Sequence, residues 1–461
     1  MSPLSKTAHR RLYVLVGAIV SLQVYLASSY THFSPDRLHL PHASQSHSSP
    51  EQDNAPAYSI NGQIPPDCPP LPGLDNIVLV LKTGVTESAT KLPIHRNTTL
   101  RCIPNYIVWS DYDENIADIP VHDVLYNESS SLHQLPDFNL YTRVQEQGRD
   151  ALTSHDLSGV REESTAFGKS NPGWKLDKWK FVPMISHTLK QFHSPQNKWY
   201  VFVEADTYIL LPNLLSWLGR LDASRPWYLG NQMQIRDILF AHGGSGFILS
   251  RPAIEAANGI ILDKRGYWDA ITQSEWAGDC VLGILLGQAG VELTWSWPML
   301  QLAPPKEIEF FGMNYGRRMW CFPAVSFHHL EPGEIRELVR VERGIVGQRG
   351  RADEPITWRD IFLNLARPAM VSDEDGDGVR RDWDNGASED KGVTLSVQDC
   401  RDLCAADRYC LQFVRRADGT CLFGRDARVG GHAPGAESGW LTERIDKAAK
   451  MLGSCPRVDW G

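Results

Sequence analysis

Two acidic residues, Glu204 and Asp206, follow the apolar run at residues 199–203 in the sequence WYVFVEADTYIL. The run is rich in Val, Phe and Tyr, which predicts a strand buried on both faces of a mostly parallel sheet. In open α/β sheets, ligands bind outside the carboxyl ends of the strands. The two acids are therefore candidates to hold a metal ion or a charged substrate. The alternative is that they cap the helix that follows.

Two earlier apolar runs predict strands of the same kind, at residues 76–82 (NIVLVLK) and 105–111 (NYIVWSD). The first ends in Lys82 and Thr83, and the second ends in Asp111. Parallel strands with polar ends at one edge indicate a nucleotide-binding edge. Asp111 could instead begin the acidic turn that follows it. Cys68 and Cys102 precede these strands and could form a disulfide.

Three further stretches contain residues with chemical potential. Residues 173–192 predict a helix, interrupted at Pro183, that contains Asp177 and Lys178. The segment AHGGSGFILS contains Gly243 and Gly244, at which the backbone could approach a ligand closely. Residues 275–286 (EWAGDCVLGILL) predict a helix with Asp279 in its first turn, where an acid is otherwise an ordinary capping residue.

A strand predicted within RRMWCFPAVSFHHL ends in two histidines, His328 and His329. Neighbouring side chains on a strand point to opposite faces, so we expect no more than one of them to coordinate an ion together with Asp206.

Taken in order, these stretches resemble the inverting β-1,3-glycosyltransferases of the group that includes core 1 galactosyltransferase and the Fringe proteins. The resemblance covers roughly residues 75–335. In that group the central strand ends in an acidic triplet closed by Asp and followed by Thr-Tyr, and Ala205 here replaces the middle acid. The helix pattern of two acids, three residues and Gly is also incomplete, because Gly278 replaces the first acid while Asp279 and Gly283 keep the register.

The resemblance implies an α/β fold of the GT-A type, with a mostly parallel nucleotide-sugar-binding sheet. It implies Mn²⁺ bound by Asp206 and one neighbouring histidine, for which His328 is favoured, and a catalytic base at Asp279. The donor-binding residues would be Lys82, Thr83, Asp111, Asp177, Lys178, Glu204, Gly243 and Gly244.

The implied activity is metal-assisted transfer of a sugar, galactose in the first place, from a UDP-sugar to a hydroxyl of a glycan or glycoprotein acceptor. The linkage would be β-1,3, with inversion. A Fringe-like N-acetylglucosaminyltransferase is compatible with the same motifs. A non-catalytic secretory carbohydrate-binding or scaffold glycoprotein is the other alternative, and the two missing acids favour it.

The amino terminus predicts a membrane anchor. Basic residues in the first 11 positions precede an apolar run at residues 12–28, which indicates a cytosolic tail, a signal-anchor helix and a lumenal body. A cleaved signal peptide is the alternative. Residues 30–66, rich in Ser, His and Pro, predict a disordered stem before a transferase domain at 68–350. We expect a single-pass type II protein of the Golgi membrane. The net charge of −9 argues against a nucleic-acid partner.

Nine cysteines and the glycosylation sequons at Asn97 and Asn127 indicate an oxidising compartment. An odd number leaves a thiol that is free or bonded to another chain. Cys280 and Cys321 are a plausible pair.

The carboxyl-terminal region predicts an acidic linker at 370–391 and a small module at 392–461. The linker contains an incomplete match to a calcium-binding EF-hand loop at Asp373, Asp375 and Asp377. The cysteine spacing of the module resembles PAN/Apple modules. That resemblance implies the pairs Cys400–Cys421 and Cys404–Cys410, and it leaves Cys455 without an assigned partner.

Overall fold

The computed structural model describes residues 68, 70–157, 172–350, 354–370 and 378–461. The predicted tail, anchor helix and stem lie outside these residues, and so do the three aspartates of the EF-hand-like sequence. Within the described part, no helix combines the length and apolar character needed to cross a bilayer.

The central sheet has eight strands in the order β11-β7-β10-β5-β1-β2-β4-β3. The strands β1, β2, β4 and β5 are mutually parallel, while β10 runs antiparallel to β5 and β7. This confirms the predicted α/β fold with a mostly parallel sheet. The strands of the first part of the chain are β1 (Ile77–Lys82), β2 (Tyr106–Ser110), β3 (Glu114–Ile116), β4 (Ile119–Asp123), β5 (Trp199–Glu204), β6 (Tyr208–Ile209), β7 (Tyr228–Gly230), β8 (Gln232–Ile235), β9 (Ile238–Ala241), β10 (Phe247–Ser250), β11 (Leu293–Trp295) and β12 (Ser326–Phe327).

Helices cover both faces of this sheet. The helices of the described residues, with those of the carboxyl-terminal region included, are α1 (Ser88–Lys91), α2 (Pro93–Arg96), α3 (Asn139–Gln147), α4 (Ser154–Leu157), α5 (Pro172–Asp177), α6 (Phe181–Gln191), α7 (Leu211–Leu218), α8 (Arg251–Asp263), α9 (Arg265–Ser274), α10 (Gly278–Gln288), α11 (Pro332–Arg349), α12 (Trp358–Ile361), α13 (Arg367–Ala369), α14 (Val397–Ala406) and α15 (Thr442–Leu452). Short 3-10 helices occur at Leu74–Asn76, Leu132–Gln134, Pro136–Phe138, Arg149–Ala151, Lys178–Lys180, Pro305–Glu307 and Met319–Cys321, and a π-helical turn at Phe362–Ala366.

Strict alternation along β5 divides its side chains between two apolar cores. Trp199, Val201 and Val203 pack into one core, and Tyr200 and Phe202 pack into the other. Ala205 continues the first set and is 1% exposed. An acid at this position would be buried among apolar side chains, at a cost in free energy that alanine avoids.

The helix predicted at 173–192 is divided into α5, a 3-10 turn and α6. The division lies at Lys178–Lys180, before the proline that was expected to interrupt the helix. Pro183 lies in the first turn of α6, where the backbone N–H has no intrahelical acceptor and proline is tolerated.

The carboxyl-terminal region forms a five-stranded sheet in the order β13-β17-β15-β16-β14. Its strands are β13 (Arg380–Asp384), β14 (Glu389–Val393), β15 (Gln412–Arg415), β16 (Thr420–Gly424) and β17 (Gly431–Trp440). The prediction of a linker up to residue 391 is therefore wrong for residues 380–391. The disulfides Cys400–Cys421 and Cys404–Cys410 occur as expected.

Cys455 is bonded to Cys321 and joins the end of the chain to the loop before β12. The expected pair of Cys280 with Cys321 is therefore wrong, and Cys280 is a buried free thiol. The sequence could not show this, because the partners are separated by 134 residues. The possible disulfide between Cys68 and Cys102 is present.

Candidate functional site

A cleft of about 550 Å³ lies at the carboxyl edge of the central sheet. The end of β5 contributes Glu204 and Asp206, and the end of β1 contributes Lys82. Asp279 enters from the first turn of α10, and His328 follows β12. These residues were predicted separately from four stretches of sequence, and the structure brings them to one cavity.

Asp206 and His328 meet because their strands are paired. β6 follows Asp206 directly, β12 precedes His328, and the two strands form an antiparallel ribbon. The N–H of Leu330 donates to the carbonyl of Asp206 at 3.0 Å. Oδ1 of Asp206 then lies 3.3 Å from Nε2 of His328.

His329 joins the same cluster, contrary to the expectation from strand alternation. One ligand atom from each of Asp206, His328 and His329 lies within 4.8 Å of the others. The backbone of His329 has φ of 59°, which is the left-handed region, and its ring centroid lies 3.8 Å from that of His328. The strand ends at Phe327, so alternation does not extend to the second histidine.

The chemistry of this cluster fits a divalent cation. Oδ1 of Asp206 is buried and has no aligned hydrogen-bond donor among the described residues. The ring nitrogen Nδ1 of His328 lies 3.3 Å from the carbonyl of Leu302, which can accept its proton and leave Nε2 to coordinate. A Cβ on Gly244 would collide with Nε2 of His328, so glycine keeps this space open. Carboxylate and imidazole ligands suit several divalent ions, Mn²⁺ and Zn²⁺ among them.

Asp206 and His328 stabilise each other's charged forms. Burial alone would raise the pKa of Asp206, but the His328 imidazole and the Lys91 ammonium hold it well below its usual range. Burial would likewise lower the pKa of His328, but the carboxylates of Asp206 and Glu204 raise it to about 10. The carboxylate of Asp206 is thus ionised. A bound cation could take the place of the positive groups that lie beside it.

Buried ammonium groups surround the acids. Nζ of Lys82 lies 2.5 Å from Asp177 and 3.1 Å from Glu204, its register partner on β5. Burial would lower the pKa of Lys82, but these two carboxylates raise it above its usual value. Nζ of Lys91 lies 3.0 Å from Oδ2 of Asp206. The cleft therefore contains fixed positive charge suited to a phosphorylated ligand.

The predicted residues Thr83 and Asp111 are placed differently, because both are 2% exposed and neither lines the cleft. The Thr83 carbonyl accepts a hydrogen bond from Nζ of Lys180 at 2.7 Å, and Asp111 lies 3.2 Å from the same ammonium. Lys180 itself lines the cleft. In this structure the two residues position Lys180 and do not face a ligand.

Asp279 is held at the amino terminus of α10. Its Oδ2 accepts a hydrogen bond from the N–H of Gly243 at 3.1 Å, and its Oδ1 accepts one from Cys280 at 2.9 Å. Burial raises the pKa of Asp279 to about 6, with the negative charge of Glu204 contributing and the two amide hydrogen bonds opposing. A carboxyl group with this pKa can exchange a proton near neutral pH.

Gly278 has a steric reason to be glycine. A Cβ there would collide with the ring of Phe181 and lie 2.7 Å from Cα of Lys178. No side chain fits at this position unless Phe181 or Lys178 moves. The glycine that stands in place of the acid therefore leaves no empty space in the site.

Lys178 lies next to Gly278 and also lines the cleft. Its ammonium group lies 3.0 Å from Asp137 and donates to the carbonyl of Glu275 at 3.1 Å. It thereby joins the helical segment to the loop before Asp279.

A larger hollow of about 1210 Å³ lies at the opposite edge of the sheet, near Ile77 and Lys198. Among its described lining residues, Asp222 is acidic and none is a histidine. It therefore lacks the groups that make the smaller cleft chemically capable.

Several cleft residues were not found by sequence reasoning. They are Lys91, Lys180, His242, Trp174 and Trp276. The lysines and tryptophans gave no pattern distinct from an ordinary surface or core. His329 differs from these residues, because the sequence offered it as the alternative to His328.

The sequence profile of the Fringe-like family matches residues 160–308. The human protein named chondroitin sulfate glucuronyltransferase is 26% identical over 132 residues, which represent 26% of this chain and 15% of that protein. The matched family range includes Glu204, Asp206, Gly244 and Asp279. These matches confirm the resemblance to this group of glycosyltransferases. The PAN/Apple assignment of the carboxyl-terminal module stays a prediction.

Proposed function

We propose that this chain, whose residues 160–308 match the Fringe-like family, is an inverting glycosyltransferase that uses a UDP-sugar. The observation that carries the proposal is the meeting of Asp206, His328 and His329 in the cleft that also contains Asp279. Such a cleft combines a cation site with a separate carboxylate. Donor activation and acceptor deprotonation require these two functions.

The cation site would be formed by Asp206 with one or both histidines, and Mn²⁺ is the ion proposed. A bound divalent ion would neutralise charge on the diphosphate leaving group. Lys82 and Lys91 would supply further positive charge, since both ammonium groups lie in the cleft and are paired with its acids.

Asp279 would remove the proton from the acceptor hydroxyl. Its pKa, raised to about 6 by burial, leaves it largely ionised at neutral pH while it remains basic enough to accept a proton. The amide of Gly243 and the helix amino terminus orient its carboxylate, so its position does not depend on the donor.

The proposed donor sugar is galactose, transferred in β-1,3 linkage to a glycan or glycoprotein. N-acetylglucosamine is the alternative from the resemblance. Glucuronic acid is a third candidate, because the name of the human relative refers to glucuronyl transfer. The expected location is the Golgi membrane, with the catalytic domain in the lumen.

The test is a screen of the protein with UDP-galactose, UDP-N-acetylglucosamine and UDP-glucuronic acid, each with and without Mn²⁺. Donor hydrolysis and transfer to a glycan mixture are measured beside Asp206→Ala. Metal-dependent turnover of one donor that Asp206→Ala abolishes supports the proposal and names the sugar. If titration calorimetry detects no binding of UDP with any divalent metal, the transferase function is excluded and the scaffold alternative replaces it.

A further inference from the structure

Two tryptophans form an aromatic surface in the cleft. The rings of Trp174 and Trp276 are stacked, with centroids 5.9 Å apart and planes 21° from parallel. Both residues line the cavity, and Trp276 is 40% exposed. It lies three residues before Asp279, on the loop that leads into α10. A large indole is thus open to the cavity close in sequence to the proposed base.

The hairpin formed by β8 and β9 supplies a second apolar element. Met233 and Ile235 line the cavity, and Met233 is 38% exposed. Arg236, at the hairpin turn, forms an ion pair with Glu275, which directly precedes Trp276. This pair connects the hairpin to the tryptophan loop, so both elements border the same part of the cleft.

The chemistry of this region differs from that of the cation cluster. The cluster is lined by carboxylates, imidazoles and ammonium groups, which suit a diphosphate. The tryptophan pair and the hairpin present flat and flexible apolar surface. A pyranose ring matches such a surface, since its hydroxyls lie around the edge while one face carries several C–H groups. A serine or threonine hydroxyl of a peptide has no comparable face.

We propose that Trp276, supported by Trp174, binds the acceptor as a pyranosyl residue stacked on the indole, with a ring hydroxyl directed to Asp279. The inference rests on the proposed transferase function. It names the acceptor class as a hexopyranoside and excludes an unglycosylated peptide hydroxyl. We assign Trp276 to acceptor binding because it lines the same cavity as Asp279, the group that must contact the acceptor oxygen.

The first test is direct binding, measured by saturation-transfer NMR with methyl β-D-galactopyranoside and methyl β-D-glucopyranoside in the presence of UDP and Mn²⁺. We expect saturation of the C–H protons on one ring face for at least one probe, and loss of that signal in Trp276→Ala. Trp276→Phe retains an aromatic face and should restore part of it. Tyr267→Ala is the matched control, because Tyr267 is 43% exposed and lies outside the cleft lining.

The second test is kinetic and uses the donor identified by the screen. Trp276→Ala should raise the acceptor KM about tenfold, the effect expected when an aromatic contact of a binding site is truncated. The affinity for UDP, measured by calorimetry, should not change.

The outcomes separate the two proposals. If the wild-type protein binds no UDP, the transferase function itself fails. The stacking inference is overturned if UDP binds but neither pyranoside does. It is also overturned if Trp276→Ala weakens UDP binding and leaves the acceptor KM unchanged, or if an unglycosylated threonine peptide is the acceptor.

Discussion

Oδ1 of Asp206 lies 3.3 Å from Nε2 of His328, although the two residues follow different strands. The ribbon of β6 and β12 sets this distance through two register pairs, Ser326 with Ile209 and Phe327 with Tyr208. The proposed cation site is therefore a direct consequence of strand pairing. Both residues lie within two positions of this ribbon.

We predict that Asp206→Ala and His328→Ala each lower Mn²⁺ affinity more than about 100-fold. Removal of a residue that only orients a metal ligand typically lowers the affinity about 10- to 100-fold, and loss of the ligand itself should cost more. His329→Ala should weaken binding to a smaller but measurable extent, since its ring reaches the same cluster. Titration calorimetry with Mn²⁺ checks this. His432→Ala, which removes an exposed histidine on β17, is the control. Unchanged affinity in His329→Ala would leave Asp206 and His328 as the protein ligands.

We predict that Asp279→Asn lowers kcat by about 10²- to 10⁴-fold, the usual contribution of a general base. UDP binding should persist, because the substitution preserves shape and removes only the proton acceptor. Asp269→Asn is the control, since Asp269 also has a raised pKa but lies outside the cleft lining. A variant with wild-type kcat would remove Asp279 as the base.

The pH dependence of the reaction should follow the same carboxyl group. The pKa of Asp279 is raised to about 6, so the group becomes protonated as the pH falls through that value. Only the ionised form accepts a proton, and transfer should therefore decrease below about pH 6 and level off above it. A profile of kcat/KM for the acceptor measures this. A rate that stays constant down to pH 5, about one unit below this pKa, would contradict the assignment.

We predict that Gly278→Ala destabilises the protein by about 1–3 kcal/mol, the cost of overpacking. Its Cβ would lie 2.7 Å from Cα of Lys178. Gly287→Ala is a matched control in the same helix, where a Cβ meets nothing within 4 Å. That variant should gain about 0.5–1 kcal/mol through higher helix propensity. Denaturant unfolding of both variants is the measurement, and equal stabilities would contradict the packing argument.

The carboxyl-terminal sheet should contribute to the stability of the transferase domain through Asp426. Its carboxylate accepts hydrogen bonds from the amides of Phe310, Phe311 and Gly312 at 2.6–3.2 Å. We predict that Asp426→Ala lowers the free energy of unfolding by about 3 kcal/mol, because three amide donors lose a half-buried acceptor. Asp418→Ala, at an exposed turn of the same sheet, should change it little. Denaturant unfolding compares the two, and equal effects would exclude a special role for Asp426.

Much of the site follows from local patterns. The continuous apolar run of β5 determined both its two-sided burial and the position of Glu204 and Asp206 at its end. The glycine-rich segment and the first turn of α10 were likewise recognisable, because strand and helix periodicities depend on neighbouring residues. These patterns predicted the fold class, and most of the site residues that the sequence suggested line the cleft.

Other features depended on contacts between distant segments. The Cys321–Cys455 bond, the convergence of Lys91 and Lys180 on the acids, and the stacking of Trp174 on Trp276 each join elements far apart in sequence. The left-handed backbone of His329 overrode an alternation that the sequence alone suggested. Periodicity determines which face of an element a residue occupies. Packing of the whole chain decides which faces meet. It also decides which backbone conformation a residue adopts where a strand ends.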